Sequence, residues 1–215
     1  MARLHLTQSI MTSDNQERSI TDELKLQAFI LGGFVVLAWG LELFDIFVLK
    51  GGLPRGRLSG LDQYGIIPRN LIGLRGIIFA PFLHGGIGHL IGNTIPFLVL
   101  GWLVMLREIS DFVAVSVLSA LVGGLGTWIF GSPGVHIGAS GVIFGYLGYL
   151  LARGYFERSA LAIAMSLFVA TLYGSLIWGV LPLQQGISWE GHLFGFLGGI
   201  LSAKLLAGDR RFKGG

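Results

Sequence analysis

The chain of 215 residues contains no cysteine. Disulfides, thiolate nucleophiles and cysteine-bound metals are therefore excluded from its chemistry. Charge is almost as scarce. Asp, Glu, Lys and Arg make up 13% of the residues, against about 25% in soluble domains. The deficit is concentrated: Phe112 to Phe130 carries no charge at all. Such a segment suits lipid rather than water. The charges that remain give a net of +3, with the basic residues scattered among connecting segments. That pattern orients a membrane protein and leaves no nucleic-acid footprint. No repeat of 20–50 residues is visible.

What the chain does have is apolar bulk and glycine. Hydrophobic residues make up 53%, and there are 35 glycines, more than twice the usual ~7%. In membranes small residues let helix backbones approach closely. Six apolar runs stand out, near residues 28–49, 87–106, 112–130, 140–152, 160–180 and 189–207. The fourth falls short of the ~20 residues that fill a bilayer. The expected fold is an all-α membrane protein. It is a six-transmembrane-helix bundle with a long structured first loop and a short fourth helix. The expected organisation is a polar cytoplasmic N-terminal segment (1–26), a six-span domain (27–207) and a basic tail (208–215). Residues 1–26 are polar and mixed in sign, so they read neither as a signal peptide nor as a transit peptide. The first loop, 50–82, is rich in Gly, Pro and Arg and holds apolar pieces such as Ile66-Ile67-Pro68. It is expected to lie in the membrane interface. With both termini in the cytoplasm, ten basic residues lie inside and five, all in the first loop, lie outside. This is the orientation the positive-inside rule prefers.

Polar residues within spans are costly and so are functional candidates. Four stand out: His89, Asn93, Ser140 and His192. His89 and Asn93 are four apart and share a helix face. They sit near the start of the second run; Ser140 opens the fourth and His192 lies near the start of the sixth. Even-numbered spans begin on the same side of the membrane, so three helices deliver these groups to one level. Taken singly each has a plainer reading, a serine bonded back to its own helix or a polar side chain joining two helices. Together they form a chemical set. A serine hydroxyl attacks once a histidine takes its proton. His89 and Asn93 can donate to an oxyanion, as can the unpaired N–H of Ser140 at a helix N-terminus. Gly138 and Gly141 flank the serine and let a substrate backbone approach. Gly141 and Gly145 in the fourth run, and Gly195 and Gly199 in the sixth, are spaced to let these two helices meet closely. Glu190 stands two residues from His192, on a different helix face, so it is not expected to orient the imidazole. Glu42 and Asp45 are expected to reach water at the outer end of the first span. His84 and His136 are read as structural residues near the interface.

The pattern His84-x4-His89-x3-Asn93, then Gly138-Ala139-Ser140-Gly141, then His192 followed by Gly195 and Gly199, resembles the rhomboid intramembrane serine proteases. The likeness covers about residues 28–207. It implies a Ser140–His192 dyad without a third acid, a cavity open to the outer face, no cofactor or metal, and single-span membrane proteins as substrates in the lipid bilayer. The expected location is a bacterial plasma (inner) membrane, as an integral, multi-pass protein. Phe144 stands where some members have a tyrosine stacked on the histidine, and Leu74-Arg75 where some have Trp-Arg. Two other classes compete. One is a catalytically inactive rhomboid-like protein that binds membrane clients. The other is a membrane cytochrome with histidine-ligated haem, which leaves Ser140 and Asn93 unexplained.

Overall fold

The computed structural model describes residues 2–51, 59–183 and 186–213, with side chains described from 20 to 208 within that range. Six long helices carry the architecture: α1 (Ala2–Phe44), α2 (Ile87–Met105), α3 (Ile109–Phe130), α4 (Ser140–Glu157), α5 (Ala160–Tyr173) and α6 (Trp189–Lys213). Among the described residues there is no β-strand, only an isolated bridge between Ile66 and His136. Segments of α1, α2, α3 and α6, and α5 with its 3₁₀ continuation to Val180, are each long and apolar enough to cross a membrane. The protein is an all-α, multi-pass membrane bundle.

The fourth helix differs from the others for a physical reason. It runs for 18 residues, past the apolar run and through Arg153 to Glu157. At 1.5 Å per residue that is about 27 Å, close to the thickness of a bilayer core. Every residue from Val142 to Leu150 is buried. A helix enclosed by protein need not be apolar all round, so α4 can carry Tyr146, Tyr149 and four glycines where a lipid-facing helix would carry Leu and Ile. Its C-terminal end is held by ion pairs from Glu157 to Arg107 and Arg153.

The seam between α4 and α6 is made of glycine. A Cβ at Gly195 would overlap the carbonyl of Gly141, and one at Gly199 would overlap the carbonyl of Gly145. Backbone therefore rests on backbone, closer than the ~8–10 Å axis separation of helices with ordinary side chains. Gly198 lies on another face of α6. Its Cβ would fall 3.0 Å from Cα of Ser119 on α3. One helix thus uses two glycine faces against two neighbours.

The described part of the first loop is ordered by turns at Gly60–Tyr64, Leu71–Arg75, Gly76–Phe79 and Ala80–Phe82. Leu71, Ile72 and Ile78 are exposed. Positions 52–58 of this loop lie outside the described residues. Glu42 and Asp45 do not reach water as expected; both are buried. Lys50 Nζ lies 2.6 Å from both Asp45 and Asp62, and Asp45 accepts the N–H of Leu61 at 2.7 Å. Burial works against the charge of Lys50, but its bonds to Asp45 and Asp62 outweigh this and push its pKa up. These carboxylates anchor the first loop to the end of α1. Arg75 donates to the carbonyl of Gln63 and lies over the ring of Tyr64.

Candidate active site

Ser140 is the first residue of α4. The preceding Gly138 has φ 121°, a conformation that only glycine adopts without strain. This turn brings the chain from the α3–α4 connection sharply into the helix. It is fixed by a bond from the Gly138 N–H to the carbonyl of Ala80 in the first loop, at 2.9 Å. The hydroxyl of Ser140 therefore stands at a helix start, half-buried, with small residues on both sides.

His192 lies on the first turn of α6, across the glycine seam. Its Nε2 is 2.8 Å from Ser140 Oγ, and its Nδ1 is 2.9 Å from the carbonyl oxygen of Gly179. A carbonyl only accepts, so Nδ1 must carry the proton. Nε2 then holds a lone pair facing the serine hydroxyl, the tautomer a general base needs. The Phe144 ring lies parallel to the imidazole, with centroids 4.1 Å apart and planes 8° apart. The ring is thus held on one face by an aromatic plane and at one edge by a backbone carbonyl. Gly179 sits in the 3₁₀ segment Gly174–Val180 that prolongs α5. A Cβ there would lie 2.6 Å from Phe144 Cζ, so a larger residue would push the Phe144 ring from its place beside the imidazole. No residue type signals this contact, because the atom that matters belongs to the backbone.

His89 and Asn93 line the other side of the turn. A Cβ at Gly138 would come within 2.7 Å of His89 and 3.4 Å of Asn93 Nδ2. His89 Nδ1 faces the N–H of Gly85 at 3.4 Å, so it acts as acceptor and leaves the proton on Nε2. Asn93 is buried and its Nδ2 meets no acceptor. Two donors therefore border the glycine beside Ser140. His84 is buried and packs edge-on against His89, centroids 5.2 Å apart. Burial, together with the neighbouring His89, pushes the His84 pKa down to about 4. It stays neutral near pH 7 and supports the His89 ring as an apolar neighbour would.

Glu190 turns away from the imidazole. Its Oε1 accepts both the N–H of Ser132 at 2.7 Å and the hydroxyl of Ser132 at 2.5 Å. His136 bridges Ser188 Oγ at 2.7 Å and the carbonyl of Ser132 at 2.9 Å. These residues tie the α3–α4 connection to the start of α6. Both ring nitrogens of His192 and of His136 are thus engaged in hydrogen bonds. Among the described residues no three His, Asp or Glu side chains are grouped to hold a metal ion.

Comparison with known proteins identifies the family. Residues 73–208 match the family model of the Rhomboid domain. A protein of Mycobacterium tuberculosis, Rv1337, is 41% identical over 207 residues, covering 89% of this chain and 82% of its own. A Mycobacterium leprae protein, ML1171, is 38% identical over 85% of this chain and 74% of its own. Rhomboid protease GluP of Bacillus subtilis is 30% identical over 80% of this chain and 34% of its own, longer length. The chain belongs to the rhomboid family.

Proposed function

We propose that the protein is an intramembrane serine endopeptidase that cleaves single-span membrane proteins near the outer end of their transmembrane segment. The observation that carries this reading is the Ser140–His192 contact of 2.8 Å with Nδ1 already committed to Gly179. In this mechanism His192 Nε2 takes the Ser140 proton as Oγ attacks the substrate carbonyl. The negative charge that forms on the carbonyl oxygen is met by the Ser140 N–H, Asn93 Nδ2 and His89 Nε2. The proton passes from His192 to the leaving amine, and the C–N bond breaks to leave an acyl-enzyme. Water, deprotonated by His192, then attacks the ester and releases Ser140. Neither a cofactor nor a metal takes part. Gly179 and Phe144 hold the imidazole in place of a third acid. The substrate helix must unwind locally, because a helical carbonyl is hydrogen-bonded and shielded.

The protease domain is taken as residues 27–207, between a polar N-terminal segment and a basic tail. The positive-inside count supports cytoplasmic termini, and the mycobacterial relatives support a bacterial plasma membrane. The test is covalent labelling of the detergent-solubilised protein by a fluorophosphonate, with cleavage of a single-span test substrate. Wild type labels at Ser140 and cleaves. Ser140→Ala does neither, and His192→Ala loses both almost completely. A folded wild type that takes no label would instead make the chain an inactive, client-binding relative.

A further inference from the structure

One imidazole beside the dyad has no part in the mechanism above. His136 lies in the α3–α4 connection, and its Nε2 is 2.9 Å from the carbonyl oxygen of Ser132. A carbonyl only accepts, so Nε2 carries the proton and Nδ1 holds the lone pair. That lone pair faces the hydroxyl of Ser188 at 2.7 Å, so the serine donates to it. Ser188 stands immediately before α6, and its carbonyl accepts the N–H of His192 at 3.2 Å. One residue thus meets His136 through its hydroxyl and His192 through its carbonyl.

The His136 ring is not needed to hold its own segment. The backbone of His136 exchanges two bonds of 2.9 Å with Ile66 of the first loop. Glu190 separately ties Ser132 to α6 with two bonds. What the ring alone supplies is the link to Ser188. That link acts where a helix is weakest. First-turn amides lack partners within the helix, so the place of His192 depends on what holds the residue before it. The glycine seam sets how close α4 and α6 lie, but Gly195 and Gly199 make their contacts further along the helix than His192.

We propose that His136 is a positioning residue for His192: by accepting the Ser188 hydroxyl it holds the start of α6 at the height where the imidazole meets Ser140. The proposal rests on the protease reading above and adds a residue to it. The bond from Ser140 is productive at about 2.6–3.2 Å and stands at 2.8 Å. A misplacement of about 1 Å breaks it and costs about 10²-fold in rate. Because the backbone of His136 pairs with Ile66, the same brace joins the first loop to the base.

The test compares two substitutions that each keep one half of the ring's bonding. His136→Asn puts a carbonyl oxygen near the place of Nδ1 and can still accept from Ser188. His136→Gln reaches the place of Nε2 and can still donate to Ser132. Cleavage of the single-span test substrate is measured on detergent-solubilised full chain shown to be folded. His136→Ala and His136→Gln should lower kcat by about 10- to 10²-fold, with KM within about twofold of wild type. His136→Asn should restore most of the loss. Ser188→Ala leaves the ring in place, and it should fall as far as His136→Ala, with the double variant falling no further. It is the deciding variant where His136→Ala does not fold. Rescue by Gln and not by Asn, or wild-type kcat in folded Ser188→Ala, overturns the proposal. The ¹⁵N resonances of the His192 ring separate this failure from a failure of the protease reading. They should shift in Ser188→Ala and in His136→Gln, and keep their wild-type place in His136→Asn, whether or not the chain cleaves. Resonances unmoved in Ser188→Ala overturn the positioning role. A wild type that neither labels nor cleaves, with the shift present, overturns the protease reading and leaves the brace standing.

Discussion

The α4–α6 seam and helix α5 flank the same histidine and are built in opposite ways. In the seam, glycine backbones touch, and Gly195 and Gly199 have no room for even a Cβ. Along α5 and its 3₁₀ continuation, from Ala160 to Val180, 11% of the span is buried, against 39% for the α6 span. Yet the 3₁₀ continuation of α5 contributes the Gly179 carbonyl that sets the imidazole tautomer. The seam fixes a distance and tolerates nothing, because close-packed backbone cannot rotate away. α5 contributes one hydrogen bond from a largely lipid-facing element. Distance is held by rigid packing, and orientation by a peripheral contact.

The contrast orders the expected effects of mutation. Gly195→Leu and Gly199→Leu should bring fluorophosphonate labelling down to the level of Ser140→Ala, measured on protein shown to be folded. Full labelling in folded Gly195→Leu would falsify the claim that the seam sets the dyad distance. Gly198→Leu is instructive because the clash falls on α3. It should lower the melting temperature as much as its neighbours do, and it should spare labelling more wherever the protein stays folded. Next in size is Asn93→Ala, with a fall of about 10²–10³ in kcat. Unchanged turnover there would remove Asn93 from the oxyanion site.

Smaller effects belong to positions outside the glycine seam. Phe144→Leu removes an aromatic stack worth about 0.5–1.5 kcal/mol, which corresponds to about two- to tenfold in kcat. A loss as deep as that of Gly195→Leu would show orientation to matter as much as distance. Glu190→Gln keeps an oxygen for both Ser132 bonds, so a pH–rate profile of wild-type shape and most of the activity are expected. Activity as low as that of His192→Ala would put a third acid back into the mechanism. Leu167→Ala, on the exposed face of α5, should change stability by less than about 0.5 kcal/mol and leave labelling unchanged. A large effect there would break the comparison outright.

The sequence alone determined much of this protein. Low charge and long apolar runs dictated a helical membrane bundle, because only helices or closed barrels satisfy their backbone in lipid. Span parity put His89, Asn93, Ser140 and His192 at one level, and the spacing of Gly141, Gly145, Gly195 and Gly199 marked the faces that could meet. These inferences hold because they rest on period and polarity, which are local properties of a chain. The tertiary structure decided the rest. It extended α4 past its apolar run, since an enclosed helix is not subject to the hydropathy of a lipid-facing one. It buried Glu42 and Asp45, the latter against Lys50, instead of leaving them in water, and it turned Glu190 toward Ser132. It also paired His192 with the Gly179 carbonyl. No residue type marks that last contact. A carbonyl is present at every position, and only the path of the chain decides which one meets the histidine.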